Sequence, residues 1–206
     1  MFYRMARFII RSLINLVTRR EYVGMENIPD RPPYILVTNH LASFDPPLLL
    51  TVCPHTIRAF AAAKHRRNPF FAFVLTSMGS IWVQRGEVDR GALKEALDVL
   101  KRGEVLGMAP EGTRSRVTHA LQKGKTGAAY MASRTGVQIV PVGLTGTENI
   151  KHNLTRLRRT PVRIVVGEPF RLPEGRARGQ KLDEYTDLIM RHIAELLPEE
   201  YRGVYA

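Results

Sequence analysis

A histidine and an aspartate five residues apart, His40 and Asp45, stand in the run Asn39-His40-Leu41-Ala42-Ser43-Phe44-Asp45, just past the strand-like Tyr34-Ile35-Leu36-Val37-Thr38. A neutral imidazole oriented by a carboxylate is the usual device for taking a proton from a hydroxyl near neutral pH. The aspartate has a second use, because Asp before Pro46 and Pro47 is an ordinary way to begin a helix. Three more polar clusters follow later apolar runs: Lys64-His65-Arg66-Arg67, then Gln84-Arg85-Gly86, then Pro110-Glu111-Gly112-Thr113-Arg114-Ser115. The set offers one proton acceptor with a carboxylate partner, at least three cations, and a Gly-Thr turn whose amides can face an anion. That suits a phosphate-bearing substrate with a reactive hydroxyl.

These clusters need elements to hold them, and the hydrophobic pattern supplies an alternation. Strands are expected at residues 34–38, 57–62, 80–83, 105–108, 137–144 and 162–166. Helices are expected at 46–52, 69–77, 88–102, 124–135 and 182–197, with Pro69 in a first helical position and Gly103 and Gly136 as stops. Strands separated by helices predict an α/β fold with a largely parallel mixed sheet flanked by helices. In such sheets ligands bind at the carboxyl ends of strands, where all four clusters fall.

Residues 1 to about 19 form one amphipathic helix in this reading. Phe2, Met5, Ala6, Ile9, Ile10, Leu13, Leu16 and Val17 share its apolar face, and Arg4, Arg7, Arg11, Asn15 and Thr18 the other; Phe8 alone is out of place. A basic polar face opposite a broad apolar arc describes a helix lying in a lipid interface. The competing expectation is an ordinary surface helix packed on its own domain. The interleaved arginines do not resemble a cleaved signal, and no window reaches the ~18 apolar residues of a membrane-spanning helix.

The chain of 206 residues is long enough to bury a core without disulfides or a structural metal, and its one cysteine, Cys53, excludes a disulfide framework. Thirty-one Lys and Arg against 19 Asp and Glu leave a net charge of +12, which favours polyanions such as nucleic acid, anionic lipid or phosphorylated substrates. A nucleic-acid module is disfavoured: aromatics are only 8% of the chain, and Arg156-Leu157-Arg158-Arg159 brings no stacking motif. Gly124-Lys125-Thr126 is not a P-loop, since His119 stands where the first glycine belongs. The scattered histidines call for no metal, and no cofactor is expected.

The residues also resemble a known family, the bacterial 1-acylglycerol-3-phosphate acyltransferases of glycerolipid synthesis. His40 and Asp45 match a His-x4-Asp motif, Gly79 to Arg85 resembles the second motif, Pro110 to Ser115 the third, and Val140-Pro141-Val142 the fourth. Ala61-Ala62-Ala63-Lys64 and Gln122-Lys123-Gly124 resemble stretches beside them. Departures are Ala109 in place of a frequent aromatic, Trp82 in place of a frequent Phe, and an N-terminal region with only one helix available.

The resemblance implies an O-acyltransferase in which His40 is the base and Asp45 its partner. Lys64, Arg85 and Arg114 would clamp the acceptor's phosphate, with Glu111, Gly112 and Thr113 shaping that loop. The donor would be acyl-CoA or acyl-carrier protein, acting as co-substrate, and the acceptor a lysophospholipid, with another lipid or a glycerol phosphate as alternative acceptors. No Gly-x-Ser-x-Gly elbow or activated cysteine is present, so direct transfer is expected over a covalent acyl-enzyme. The expected organisation is an interfacial helix over residues 1–20, contacting an anionic membrane through Phe2, Arg4, Met5, Arg7, Ile9, Arg11, Leu13 and Leu16. A single acyltransferase domain over 21–206 follows, at the cytoplasmic face.

Overall fold

The structure, a computed structural model, describes residues 2–84, 89–173 and 175–206, the side chain of Phe2 excepted. Among the described residues seven strands form one sheet: β1 (Thr18–Val23), β2 (Tyr34–Thr38), β3 (Ile57–Ala62), β4 (Ile81–Val83), β5 (Val105–Met108), β6 (Gln138–Thr145) and β7 (Thr160–Val166). Their order is β1-β7-β6-β2-β5-β3-β4, and every pairing is parallel except β6 with β7. The helices are α1 (Phe2–Val17), α2 (Asp45–Val52), α3 (Pro69–Ser77), α4 (Arg90–Lys101), α5 (Gly127–Thr135), α6 (Ile150–Leu154), α7 (Gln180–Glu195) and α8 (Glu199–Arg202). The expected α/β fold with a mostly parallel mixed sheet is the one observed.

The period-two geometry of β2 divides the core. Ile35 and Val37 face a cluster with α4, α5 and α7, built on Ala96, Val99, Met131, Ala132, Ile189 and Ile193. Tyr34 and Leu36 face the opposite cluster, where Leu48, Leu49 and Val52 of α2 meet Ile14 of α1. All five residues of β2 are buried, as a parallel strand covered on both sides requires. The order of strands reverses at β2: β5, β3 and β4 lie to one side of it and β6, β7 and β1 to the other. Such a switch opens a crevice at the strand's carboxyl end, and His40 begins the loop there.

The first helix stops two residues short of the expected boundary. Thr18 and Arg19 belong to β1, a strand with no counterpart among those expected, which pairs with β7 from Thr18↔Thr160 to Val23↔Val165. Thr18 closes the helix by donating from Oγ1 to the Ile14 carbonyl at 2.6 Å. Arg159 reaches back to the same end, donating to the carbonyls of Asn15 at 2.9 Å and Thr18 at 2.7 Å. A cation on the last carbonyls satisfies orphan acceptors and complements the helix dipole.

Candidate active site

His40 and Asp45 meet as expected. His40 Nδ1 lies 2.7 Å from Asp45 Oδ2, with Asp45 only 1% exposed and His40 13%. An ionised carboxylate can only accept, so Nδ1 carries the proton and the lone pair of the neutral ring sits on Nε2. His40 lines a cavity of about 240 Å³. The aspartate does not cap its helix with a side-chain hydrogen bond: Phe44 holds the cap position, and Asp45 is the first residue of α2. Its Oδ2 instead accepts from the amides of Leu41 at 2.7 Å and Ala42 at 2.8 Å, bending the loop back on itself. Its negative charge in the first helical turn is still favoured by the dipole.

The second oxygen of Asp45 accepts from Thr147 Oγ1 at 2.7 Å. Thr147 is fully buried in a short 3-10 turn after β6, and nothing in its neighbourhood marks it as a partner of a residue 102 positions earlier. Asn39 was equally silent about its role. Its amide donates to Leu144 O and accepts from Leu144 N, both at 2.8 Å, so a side chain continues the β2–β6 ladder one step beyond the strand.

Glu111 was expected to shape its loop, and it does so through the backbone. Its carboxylate is buried and faces the backbone: Oε1 accepts from His40 N at 2.8 Å and Oε2 from Gln122 N at 3.0 Å. Burial pushes the Glu111 carboxyl above the usual range, and the amide hydrogen bonds and His40 offset only part of that. Glu111 thus joins the base's own backbone to the next loop, while Ser115 N donates to His40 O at 2.9 Å.

Gly112 lines the cavity in the left-handed conformation at φ 67°, and Thr113 beside it is exposed. Arg114 donates from its guanidinium to Ser43 Oγ, which brings a cation to the loop between His40 and Asp45. Lys64 follows β3 in an exposed 3-10 turn and does not line the cavity, although Ala62 two residues before it does. Arg85 lies outside the described residues.

One cation escaped the sequence reading except as part of a failed P-loop match. Lys125 lines the same cavity, its amide bonds to Pro110 O at 2.8 Å, and its side chain crosses Gly112 so closely that a Cβ there would sit 3.0 Å from Cδ. The remaining walls are apolar, with Leu49, Ala59, Phe60, Val83, Leu93 and Met108 among them. The arrangement offers an oriented imidazole and a lysine in the wall of a largely apolar slot, suited to an acyl chain and a phosphate together. Among the described residues no cluster of His, Cys, Asp or Glu could hold a metal ion.

The first helix divides its side chains differently from the expectation. Tyr3, Ala6, Ile10, Ile14 and Val17 pack on the domain, whereas Met5, Phe8, Ile9, Leu13 and Leu16 are exposed. Phe8 belongs to that exposed stripe after all. Arg7 is the correction: it turns inward and donates to the carbonyls of Cys53, Pro54 and His55, capping the end of α2, so it is not available to lipid headgroups. Arg4 and Arg11 are exposed. Among the described residues no helix is long and apolar enough to cross a membrane.

The family profile described as acyltransferase matches residues 19–145. The 1-acyl-sn-glycerol-3-phosphate acyltransferase of Borreliella burgdorferi is 39% identical over 134 residues, covering 61% of this chain and 51% of that protein. The chloroplastic 1-acyl-sn-glycerol-3-phosphate acyltransferase LPAT1 of Arabidopsis thaliana is 29% identical over 179 residues, covering 84% of this chain and 47% of that one. The crystal structure of the 1-acyl-sn-glycerophosphate (LPA) acyltransferase PlsC from Thermotoga maritima superposes with a TM-score of 0.72 at 28% identity, covering 94% of this chain and 79% of that one. The chain spans about half the length of these two curated relatives. A catalytic-type His/Asp pair at the sheet's switch point, in a fold shared with a solved acyltransferase and under a profile covering most of the sheet, makes this chain a member of the acyltransferase family.

Proposed function

We propose that this chain transfers an acyl group from a thioester, acyl-CoA or acyl-carrier protein, to the free hydroxyl of 1-acylglycerol 3-phosphate, forming phosphatidic acid. The observation that carries the reading is the oriented imidazole, 2.7 Å from a buried carboxylate, at the head of an apolar cavity. His40 Nε2 takes the hydroxyl proton as the oxygen attacks the thioester carbonyl. Asp45 holds the tautomer and favours the imidazolium that forms. The tetrahedral intermediate then collapses, the C–S bond breaks, and the imidazolium returns its proton to the departing thiolate. The products are an ester and a free thiol, and the base is restored.

Arg114 beside Ser43, Lys64 in the turn after β3 and Arg85 are the candidate contacts for the acceptor's phosphate, with Gly112 and Thr113 shaping the loop. Arginine suits the task because its planar fork contacts phosphate in a bidentate manner. Lys125, which lines the cavity, joins this set. The exposed stripe Met5, Phe8, Ile9, Leu13 and Leu16, with Arg4 and Arg11 beside it, supports peripheral attachment to the cytoplasmic leaflet, α1 serving as the interfacial part of a single catalytic domain.

The test is acyl transfer by purified protein, with 1-acylglycerol 3-phosphate, glycerol 3-phosphate and a neutral lysophospholipid compared by kcat/KM. His40→Ala is expected to lower kcat by about 10²–10⁴-fold, whereas His65→Ala is not. A loss of only a few-fold for His40→Ala removes it as the base. Preference for an acceptor without phosphate removes the phosphate assignment while leaving the transfer chemistry intact.

A further inference from the structure

A second apolar face is exposed on α3. This nine-residue helix has no buried residue, and Phe70, Phe71 and Phe73 are 69%, 50% and 60% exposed. Asn68 caps its start by accepting from the amides of Phe70 and Phe71, so the ring-bearing turn is held in place and not frayed. Phe70 and Phe71 stack edge to face at 5.9 Å. Exposed phenylalanines at this density cost solubility unless something apolar receives them.

The turn that feeds the helix is strongly cationic. Lys64, Arg66 and Arg67 are exposed, and Arg66 lies over the Trp82 ring at 4.7 Å. No Asp or Glu occurs anywhere in residues 1–20 or 46–86, so α1, α3 and this turn contain no carboxylate. The helices α1 and α3 are neighbours, and Tyr3 of one and Val74 of the other rest on the same core. A face that is aromatic in its centre and basic at its edge, with no Asp or Glu in α1, α3 or the turn between β3 and α3, complements anionic headgroups above an acyl layer.

We propose that α3 with its basic turn is a second membrane-docking element, with Phe70, Phe71 and Phe73 entering the acyl boundary beside the exposed stripe of α1 while Arg66 and Arg67 meet lipid phosphates. The position matters for access to the site. The wall of the catalytic cavity includes Ala62, and the basic turn starts at the next residue, so docking here sets the cavity mouth against the leaflet. A lipid acceptor and an acyl chain then reach the slot without crossing water. The inference rests on the peripheral membrane reading of α1 and extends it to an element that reading did not include.

The test uses the full chain and vesicles of phosphatidylcholine, alone or mixed with phosphatidylglycerol. Trp82 is the single tryptophan, so its quenching by lipids brominated on the acyl chain reports on this face without an added label. Phe70→Ser with Phe73→Ser is expected to weaken vesicle binding about tenfold and abolish most of the quenching, with an unchanged melting temperature because both side chains are exposed. Arg67→Gln is expected to weaken binding about fivefold on the mixed vesicles and not on phosphatidylcholine alone. Wild-type binding and quenching in the Phe70/Phe73 variant overturn the proposal. If Met5→Ser with Leu13→Ser then releases the chain, attachment belongs to α1 alone; if neither pair loosens it, both readings fall. A defect confined to transfer from acyl-carrier protein, with vesicle binding intact, assigns the face to an acidic protein and also overturns it.

Discussion

Asp45 accepts four hydrogen bonds, from His40, the amides of Leu41 and Ala42, and Thr147. That saturation is what allows a carboxylate to be 1% exposed, since burying one without hydrogen-bond partners is costly. Asp45→Asn replaces an acceptor-only group with one that must turn an NH2 toward at least one of these donors. The expected result is a fall in kcat of about 10²–10⁴-fold with a smaller change in KM, read by steady-state kinetics. Thr147→Val is the gentler probe. It keeps the shape and removes one donor, so unfolding in urea is expected to lose about 1–3 kcal/mol, the cost of a buried acceptor left unpaired. A variant as stable as the parent would mean that water replaces the hydroxyl.

At the scale of elements, the site depends on loops tied to one another by buried polar groups. Glu111 joins the amide after β2 to the amide of Gln122, and its raised pKa has a consequence for stability. A carboxyl whose folded pKa exceeds its unfolded value of about 4.3 binds more protons in the native state, so stability falls as pH rises through the interval above that value. Glu111→Gln cannot titrate and is expected to flatten that slope above about pH 4, measured as unfolding free energy against pH. An unchanged slope would assign it to other groups. Gly112 in the same loop has φ 67° and Lys125 against it, so Gly112→Ala strains the backbone and displaces the lysine together. Its expected signature is a rise in KM for the phosphate-bearing acceptor that exceeds the loss in stability.

For the whole molecule, the first helix is both a structural layer and a surface. Ile14 is buried in the core beneath α2, Arg7 caps α2, and Arg159 caps α1 from the far side of the chain. Removing residues 1–19 therefore removes buried Ile14 and the first two residues of β1 along with the exposed stripe. It uncovers the part of the core that α1 shares with α2. Ile14→Ala is expected to cost about 2–5 kcal/mol in thermal or urea unfolding, while Leu13→Ala one position earlier, exposed at 57%, is expected to cost little and to act on vesicle binding instead. Equal costs at the two positions would mean that the helix does not present these two faces. With a net charge of +12, binding to anionic vesicles is further expected to weaken as salt is raised.

Sequence alone determined the features that depend on neighbours along the chain. The period-two and helical patterns located most strands and helices to within a few residues, and His40 with Asp45 stood out because one loop holds both. The β1 strand escaped because Thr-Arg-Arg-Glu-Tyr-Val is mostly exposed and becomes a strand by pairing with β7, some 140 residues away. Thr147 and Leu144 escaped for the same reason, reaching the His40 loop only through the β2–β6 pairing. Arg7 looked like a charge facing lipid and Glu111 like part of a phosphate loop; only the tertiary structure could reveal which backbone carbonyls and amides claim them. A residue's type and spacing declare what chemistry it can do, whereas burial and partners, which are long-range, decide whether it acts on a substrate or on the fold.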